Sequence, residues 1–344
     1  MPENELMEQV SCRIPINCAG MRLDQVLAEL LPAFSRSRLQ HWIRSGDLQI
    51  DGRMVRPRER VLGGEMVSGA LSLPTATEDQ AQNIPLAIIF EDAEIIVLNK
   101  PAGLVTHPAV GNLDGTLVNG LLHHAPELAN LPRAGLVHRL DKDTSGLLVV
   151  ARTLRAHTEL VRQLQARTIE REYEAVVNGV IVAGGTVNAP LGRHPVDRKR
   201  MAVVANGKPA VTHYRVLQRF GNHTHLQVKL ETGRTHQIRV HLTHIRHPLV
   251  GDSVYGGRAR IPAGLSESAL RVITDFRRQA LHAARLGLTH PGSGQRLYWN
   301  APLPNDLEGL LATLREKTSR RYDEGTCGFQ PPFYLSRLAR TSAG

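Results

Sequence analysis

The sequence predicts an α+β protein with a mainly antiparallel mixed sheet that is flanked by helices and loops. Its 344 residues exceed the usual size of one domain, so a large domain with a smaller module attached is expected. Apolar strand patterns joined by tight turns favour antiparallel pairing. Helical patterns occur between these strands without a regular βαβ alternation, which favours the α+β class over a parallel sheet.

The small module is expected to cover residues 19–73. The segments RLDQVLAELL and SRSRLQHWIRSG place apolar side chains at helical spacing. Asp51-Gly52 then lies between two alternating segments, which predicts a β-hairpin. Residues 1–18 are expected to form an N-terminal extension. Residues 74–84 are polar and begin with a proline, which indicates a linker.

The larger domain is expected over residues 85–318. Two apolar strands flank Glu91-Asp92, and the dipeptides Asn206-Gly207 and Gly221-Asn222 predict two further hairpins. Helical patterns occur at residues 116–123, 154–166, 235–244 and 306–314. The tail at residues 319–344 sustains no period, so it is expected to be flexible.

The charge of the chain indicates a polyanionic partner. Forty-two Lys and Arg against 32 Asp and Glu give a formal net charge of +10 and a pI near 10.0. Residues 192–247 carry eleven Lys and Arg against Asp197 and Glu231, and residues 36–60 carry seven Arg against three acids. Solvated helix and strand faces can hold such charges, but two concentrated patches favour nucleic acid over a membrane surface.

Several other classes of protein are excluded by composition and spacing. No run of about 18 apolar residues is present and the start MPENELMEQV is polar, so neither a membrane span nor a signal peptide is expected. A cytoplasmic location is expected accordingly. Cys12, Cys18 and Cys327 form no C-x-x-C pair, so no disulfide framework is indicated. The histidines of THQIRVHLTHIRHP alternate with arginines and lack partner ligands, so no metal is expected. GNLDGT lacks the ending of a phosphate-binding loop, so no nucleotide cofactor is expected.

A dense polar cluster lies between two apolar segments in AGLVHRLDKDTSGLLVVAR. Asp143 and Thr144 are typical of a tight turn in which short polar side chains bond to the local backbone. A turn does not explain His138, Arg139 and Asp141, because unpaired ions beside a core strand cost several kcal/mol. A functional carboxylate paired with arginine would explain them.

Four segments in chain order carry a family resemblance: GMRLDQVLAELLPAFSRSRLQHWI, HRLDKDTSGLL, REYEAVVNG and ETGRTHQIRVH. The last three resemble motifs of the large-subunit branch of the RNA pseudouridine synthases, and HPLVGDSVYGG and QALHA agree with that family as well. The first resembles the S4 RNA-binding domain that many members carry. The resemblance spans residues 19 to about 316. It implies a pseudouridine-synthase catalytic domain preceded by a small S4-like RNA-binding domain.

The activity that the resemblance implies is the isomerisation of uridine to pseudouridine in RNA. Nothing is added or lost in that reaction, so no cofactor is needed. The implied substrate is large-subunit ribosomal RNA or a pre-ribosomal particle, specifically the stem-loop that bridges to the small subunit. A monomer is expected.

The resemblance also implies roles for individual residues. Asp141 would be the catalytic carboxylate, and Arg239 would keep it ionised because a nearby cation offsets desolvation. Tyr173 would stack on the target base and assist proton transfer. Arg139 could occupy the gap that the extruded nucleotide leaves. His138 is not included among the catalytic residues.

Further RNA contacts are expected from the module and from the motif that contains Arg239. On the second predicted helix of the module, the arginines have no acid between them and could bind phosphates. The expected RNA-binding residues are Arg36, Arg38, Arg44, Arg234, His236 and Gln237.

Three alternatives remain open at this point. A glycoside hydrolase could use Asp141 and Asp143 as an acid and base pair, although neighbours around a turn have no evident way to face each other across a sugar. A non-catalytic RNA-binding assembly factor would use the same basic surfaces. A pseudouridine synthase could also act on other ribosomal or transfer RNA sites.

Overall fold

The computed structural model describes residues 7–31, 34, 36–72, 80–108, 112–256 and 267–323. Its helices are α1 (Leu23–Leu30), α2 (Arg36–Ser45), α3 (Leu117–His124), α4 (Leu154–Gln165), α5 (Gln237–His244), α6 (Glu267–Asp275) and α7 (Asn305–Asp323). Its first seven strands are β1 (Met7–Arg13), β2 (Leu48–Ile50), β3 (Met66–Ser72), β4 (Ile88–Glu91), β5 (Ile95–Lys100), β6 (Ser145–Ala151) and β7 (Glu170–Asn178). The others are β8 (Gly185–Asn188), β9 (Leu191–Arg193), β10 (Met201–Val203), β11 (Val211–Arg219), β12 (His223–Leu230), β13 (Leu281–Thr289) and β14 (Arg296–Asn300).

The N-terminal part of the chain forms a small domain with its own apolar core. Strands β1 and β2 pair antiparallel with β3, and α1 and α2 cover the sheet with buried side chains such as Leu27 and Trp42. Both predicted helices of the module are confirmed. Strand β1 lies in the segment expected to be an N-terminal extension, so residues 7–13 belong to the sheet instead.

The hairpin predicted at Asp51-Gly52 is only partly correct. Both residues have positive φ angles, 48° and 72°, and a bridge joins Ile50 to Arg53 across the turn. The chain then leaves the sheet, and β2 pairs with β3. Pro57 and the charges around it do not continue a strand, whereas β3 supplies the fully buried Val67 to the core.

Nine strands of the larger domain form one sheet in the order β4-β5-β6-β13-β7-β12-β11-β8, with β14 beside β13, whereas β9 and β10 form a separate two-stranded sheet. The β6–β13 pair is parallel and the other pairs are antiparallel. The hairpins predicted around Glu91-Asp92 and Gly221-Asn222 are confirmed as β4–β5 and β11–β12. The predicted mixed, mainly antiparallel sheet is therefore confirmed.

The centre of the sheet is covered on both faces. Ile96 and Leu98 of β5 pack on the side of α3, whereas Ile95 and Val97 pack on the side of α4. Because successive side chains of a strand point to opposite faces, a strand covered on both sides reads as a continuous apolar run. This arrangement explains the sequence IIVL in β5 and LLVVA in β6.

The hairpin predicted at Asn206-Gly207 is wrong. Strand β10, just before it, pairs with β9, and β11, just after it, pairs with β12 and β8. A Cβ atom on Gly207 would lie only 2.6 Å from the backbone carbonyl carbon of Leu191. The glycine thus allows two backbones to approach closely, which a local turn pattern does not distinguish from a hairpin.

The four helices predicted in the larger domain are confirmed as α3, α4, α5 and α7, with shifted ends. Helix α7 continues to Asp323, beyond the expected boundary at 318, and residues 324–344 of the expected tail lie outside the described residues. Residues 73–79, which include most of the expected linker, also lie outside them. Gln82 is bonded through its backbone N–H to Asn119 of α3, so the end of that linker packs on the larger domain.

The structure bears on two expectations, those about membrane-spanning segments and about cysteines. Among the described helices, none combines the length and the apolar character needed to cross a lipid bilayer. Cys12 and Cys18 carry free thiols, and Cys327 lies outside the described residues.

Candidate active site

One cavity of about 760 Å³ brings together the three predicted catalytic residues. Asp141 comes from the loop before β6, Tyr173 from β7, and Arg239 from α5. Asp141 and Arg239 are 98 residues apart in the chain, so only the folded sheet places them in contact. The cavity volume lies in the usual range for sites that bind small molecules or single nucleotides.

Hydrogen bonds to the adjacent backbone hold the Asp141 loop in place. The Thr106 hydroxyl donates to the Leu140 carbonyl at 2.6 Å. On the other side, the buried Lys100 ammonium group donates to the Lys142 carbonyl at 2.9 Å. Because the peptide groups on both sides of Asp141 are anchored, the direction of its carboxylate is set before any ligand binds.

His138 is a structural residue of the same loop. Its Nε2 accepts a hydrogen bond from the backbone N–H of Val149 at 3.2 Å. Burial, with a smaller contribution from the Arg171 charge, lowers the pKa of His138 to about 3. The imidazole is therefore neutral near pH 7 and ties the loop to β6.

Arg239 binds two carboxylates at once. Its Nη1 donates to Asp141 Oδ2 at 3.0 Å, and its Nε and Nη2 donate to the two oxygens of Asp252 at 2.7 and 2.9 Å. The bidentate contact with Asp252 fixes the plane of the guanidinium, so that its remaining edge faces Asp141. The predicted Asp141–Arg239 contact is present.

Asp252 is a residue of this site that the sequence alone does not identify. Its side chain is fully buried, and its Oδ1 also accepts the backbone N–H groups of Val254 and Tyr255. Burial raises the pKa of Asp252, but the hydrogen bonds and charge of Arg239 outweigh it and the pKa is lowered. A usable signal was the single acid within the apolar and small residues of HPLVGDSVYGG.

His236 faces the second carboxylate oxygen of Asp141. It precedes α5 in a left-handed conformation with φ of 55°, which is uncommon for a residue other than glycine. The Tyr255 hydroxyl accepts the Met201 N–H and is hydrogen-bonded to His236 Nδ1, both at 2.9 Å. His236 Nε2 lies 3.8 Å from Asp141 Oδ1. Burial lowers the pKa of His236, which favours the neutral imidazole.

Tyr173 lies in the cavity wall with only 6% of its surface exposed. It shares its face of β7 with Ala175 and Val177, which belong to the apolar core under the sheet. Burial raises the pKa of Tyr173, so its phenol is protonated near pH 7. An apolar ring that carries one polar group thus borders the same space as the Asp141 carboxylate.

Two of the expected RNA-binding residues are exposed on the cavity wall, whereas a third is buried. Arg139 and Arg234 are exposed lining residues. Gln237 is 3% exposed, and its amide is occupied by Thr232, by the backbone N–H of Arg234 and by the start of β11. These bonds give Gln237 a structural role at the start of α5, and its expected contact with RNA stays a prediction.

The arginines of α2 differ in their availability. Arg36 donates twice to the buried carboxylate of Asp24, at 3.1 and 2.9 Å, so its guanidinium joins α2 to α1 instead of projecting freely. Arg44 is exposed and contacts Gln40 at 3.3 Å. The side chain of Arg38 lies outside the described residues. The expected phosphate contact of Arg36 is thus in competition with an ion pair that the spacing of arginines does not reveal.

Replacing Asp24 with Asn should destabilise the small domain by about 1 to 2 kcal/mol at pH 7. Burial raises the pKa of Asp24, but hydrogen bonds from Arg22, Arg36 and Gln40 outweigh it and lower the pKa to about 2. A depressed carboxyl pKa contributes stability that is complete above the unfolded value near 4 and is lost as the pH falls toward 2. In urea unfolding, the difference in free energy of unfolding between wild type and variant should therefore be smaller at pH 3 than at pH 7. An equal difference at both pH values would contradict this assignment.

The histidines that follow Arg234 do not converge on one point. His236 contacts Tyr255, the buried His241 contacts Thr212 and the Ala189 carbonyl, and His247 contacts the Asn178 carbonyl. Over the ranges that the structure describes, no three potential metal ligands lie together. Their partners are protein groups.

The geometry separates Asp141 from Asp143. Asp141 lines the cavity, whereas Asp143 is not among the lining residues. A glycoside hydrolase requires two carboxylates that face one bond across a single cleft. The arrangement therefore gives no support to an Asp141–Asp143 acid and base pair.

The cavity wall has an excess of positive charge. Its acidic lining residues are Asp141 and Glu231, and its arginines are Arg133, Arg139, Arg167, Arg171, Arg234 and Arg239. An anionic ligand is therefore favoured. The same excess of positive charge disfavours a cationic ligand.

Comparisons with known proteins identify the family of this chain. A family model described as RNA pseudouridylate synthase matches residues 94–244, and an S4 domain model matches residues 21–67. A Pseudomonas aeruginosa protein named ribosomal large subunit pseudouridine synthase D is 56% identical over 310 residues, which are 90% of this chain and 97% of that protein. An Escherichia coli protein of the same name is 52% identical over 317 residues, which are 92% of this chain and 97% of that one.

A solved structure supports the fold independently. The structure titled human RNA pseudouridylate synthase domain containing 4 superposes with a TM-score of 0.52 and 27% sequence identity. It covers 67% of this chain and 93% of the human chain. Given relatives with more than half of their residues identical across nearly their whole length, this chain belongs to the RNA pseudouridylate synthase family and is an isomerase.

Proposed function

We propose that this chain isomerises uridines of large-subunit ribosomal RNA to pseudouridines, with Asp141 as the catalytic carboxylate. The observation that carries the proposal is the 3.0 Å contact between Asp141 and Arg239 at the wall of a nucleotide-sized cavity. The names of the two bacterial relatives support ribosomal RNA of the large subunit as the substrate class. The net charge and the S4 domain support RNA as the partner.

The reaction requires an ionised carboxylate at the ribose. The bond from N1 to C1′ breaks, the uracil turns while it stays bound, and C5 joins C1′. The C5 proton is lost and N1 gains a proton, so the product is an isomer of uridine. Arg239 occupies Oδ2 of Asp141, whereas Oδ1 has His236 at 3.8 Å, beyond hydrogen-bond distance. Oδ1 is therefore the oxygen available to react at the sugar, either with C1′ or with the C2′ proton.

Tyr173 stacks on the target base and assists the proton step at C5. Its position in the cavity wall, with the ring packed against the core, supports stacking. Because burial raises its pKa, the phenol reaches the reaction protonated. It therefore serves better as part of a proton relay than as a free base.

Tyr173→Phe keeps the ring and removes the hydroxyl. We expect the rate of pseudouridine formation to fall by about 100-fold, in the range for loss of one proton-transfer group, with unchanged RNA affinity. RNA with 5-deuterated uridine should then react more slowly than ordinary RNA in the variant, because removal of the C5 hydrogen has become limiting. Tyr173→Leu is the control that also removes stacking. Full activity of Tyr173→Phe would leave stacking as the sole role.

RNA reaches the cavity through the exposed basic residues. Arg139 takes the place of the extruded base in its stack, since extrusion costs a few kcal/mol that a substitute contact offsets. Arg234 and the small domain, with Arg44 on α2, hold the phosphates. The substrate element is the stem-loop that bridges to the small subunit, bound by a cytoplasmic monomer as free RNA or within a pre-ribosomal particle.

Mapping pseudouridines in ribosomal and transfer RNA from cells without the protein tests the proposal. Loss at large-subunit positions, restored by the wild-type gene but not by Asp141→Asn, is the expected result. Loss of pseudouridine only in transfer RNA would mean that transfer RNA, and not ribosomal RNA, is the substrate class. Unchanged maps together with a ribosome-assembly defect that Asp141→Asn repairs would favour a non-catalytic assembly factor.

A further inference from the structure

Arg171 of β7 is a buried cation that has no counter-ion among the described residues. It is 8% exposed, it lines the cavity, and its Nε is buried with no hydrogen-bond partner. The described residues provide no carboxylate within ion-pair distance of it, whereas Arg239 in the same cavity has two. An unpaired charge away from water is strongly unfavourable, so a guanidinium held in this way indicates a ligand that supplies the missing contacts.

The strand places Arg171 directly beside Tyr173. Because residues two apart on a strand share one face, both side chains project to the same side of β7 and into the cavity with Asp141. Gly233 provides the room, since a Cβ atom there would lie 2.5 Å from Arg171 Nη1. The neighbouring Arg167 differs because it pairs with Glu231 at 3.2 Å.

We propose that Arg171 binds a carbonyl oxygen of the target uracil and stabilises the base as an anion after it leaves the ribose. This inference rests on the proposed reaction at Asp141. When the N1–C1′ bond breaks, its electron pair stays with the uracil and spreads over N1, O2 and O4. Asp141 compensates at the sugar by bonding to C1′ or by removing the C2′ proton. When C5 bonds to C1′, the pair is consumed, and Asp141 leaves C1′ or returns the proton to C2′. The C5 proton then departs and N1 gains a proton, which gives the neutral pseudouridine base.

The burial of Arg171 favours the base over a phosphate as its ligand. The exposed Arg139 and Arg234 can reach the RNA backbone, whereas Arg171 is more than nine-tenths buried beside the tyrosine that stacks on the base. A planar guanidinium presents N–H donors in the plane of a carbonyl acceptor, and such fixed donors act most strongly where charge develops in a water-poor site.

The test compares two leaving groups. Full-length Arg171→Gln and wild type would be assayed in single turnover at saturating concentration of a ribosomal RNA fragment that contains uridine or 5-fluorouridine. Fluorine stabilises the uracil anion and so reduces the need for the guanidinium. We expect Arg171→Gln to slow the loss of target uridine by about 100-fold to 1,000-fold, and the loss of 5-fluorouridine by a factor at least about ten times smaller. RNA affinity should change by less than about threefold.

Arg285→Gln is the matched control. Arg285 also has a buried Nε without a hydrogen-bond partner, but it packs on Tyr298 and does not line the cavity. It should react at the wild-type rate with both RNAs. Arg171→Lys keeps the charge, so it should react faster than Arg171→Gln but more slowly than wild type. If the glutamine variant does not fold, the comparison of Arg171→Lys with wild type on the two RNAs tests the proposal.

Three results would overturn the proposal. Equal rate losses with both RNAs, together with weakened binding, would assign Arg171 to a phosphate. Equal losses with a lowered melting temperature would assign it to the fold, because removal of an unpaired buried charge should leave the melting temperature unchanged or raised. Wild-type rates in Arg171→Gln would exclude any part in the reaction. Failure of wild type itself to form pseudouridine would instead count against the proposed function.

Discussion

Replacing Asp141 with Asn should slow pseudouridine formation by about 1,000-fold or more while RNA affinity stays within about threefold. The substitution keeps the size of the side chain and its contact with Arg239 but removes the negative charge and the nucleophilic or basic oxygen. The loop should keep its shape, because the side chains of Thr106 and Lys100 hold its backbone carbonyl groups. Single-turnover assays at saturating RNA, with binding measured separately, check both parts.

Asp143→Asn is the neighbouring control. Asp143 does not line the cavity, so its neutralisation should leave the rate close to that of wild type. Comparable losses of rate in both variants, with release of free uracil, would indicate that the two carboxylates act as a pair and would favour a glycoside hydrolase. Normal modification by Asp141→Asn would end the assignment of the catalytic carboxylate.

Replacing Arg239 with Ala should both inactivate and destabilise the protein. Asp252 would remain in a fully buried position without its cation, which costs about 3 to 5 kcal/mol for a broken buried pair. Asp141 would lose the group that orients Oδ2, so the single-turnover rate should fall by about 100-fold or more. Urea unfolding and rate measurements on the same preparation check the two effects.

The pH dependence of that instability has a definite sign. In wild type, Arg239 keeps the pKa of Asp252 below its ordinary value despite burial. In Arg239→Ala, burial dominates and the pKa of Asp252 rises above its unfolded value. The folded variant then binds a proton more readily, so its deficit in unfolding free energy should shrink as the pH falls from 7 to 5. A deficit that stays constant or grows would contradict the buried ion pair.

A double variant separates stability from catalysis. Adding Asp252→Asn to Arg239→Ala removes the stranded charge, so most of the stability should return. Activity should not return, because Asp141 still lacks its cation. Recovery of activity together with stability would mean that Arg239 acts only through the fold.

Local pattern was sufficient for most elements of this fold. Helical spacing predicted α1 to α5 and α7, and Glu91-Asp92 and Gly221-Asn222 marked true hairpins. These signals succeed because side-chain period and turn chemistry are properties of a few adjacent residues. Asn206-Gly207 misled because its glycine serves the approach of Leu191 from another strand.

The candidate site divides in a similar way. Asp141, Tyr173 and Arg239 could be named because each lies in a short motif with family resemblance. The sequence pattern could not identify Asp252 and Tyr255 as site residues, because their roles come from hydrogen bonds to Arg239 and His236 in another segment of the chain. The ion pair between Arg36 and Asp24 could not be predicted either, because Asp24 lies on a different helix.

The sequence by itself determined the fold class, most helices and hairpins, the basic character, and the motifs that hold the reacting groups. Only the tertiary structure decided which charges are paired. Asp252 neutralises Arg239 and Asp24 binds Arg36, whereas within the described parts of the chain the buried Nε of Arg171 has no hydrogen-bond partner. The physical reason is that the strength of an ion pair depends on distance and burial, which are set by contacts between residues far apart in the chain. Composition counts charges, whereas packing decides which of them remain for a ligand.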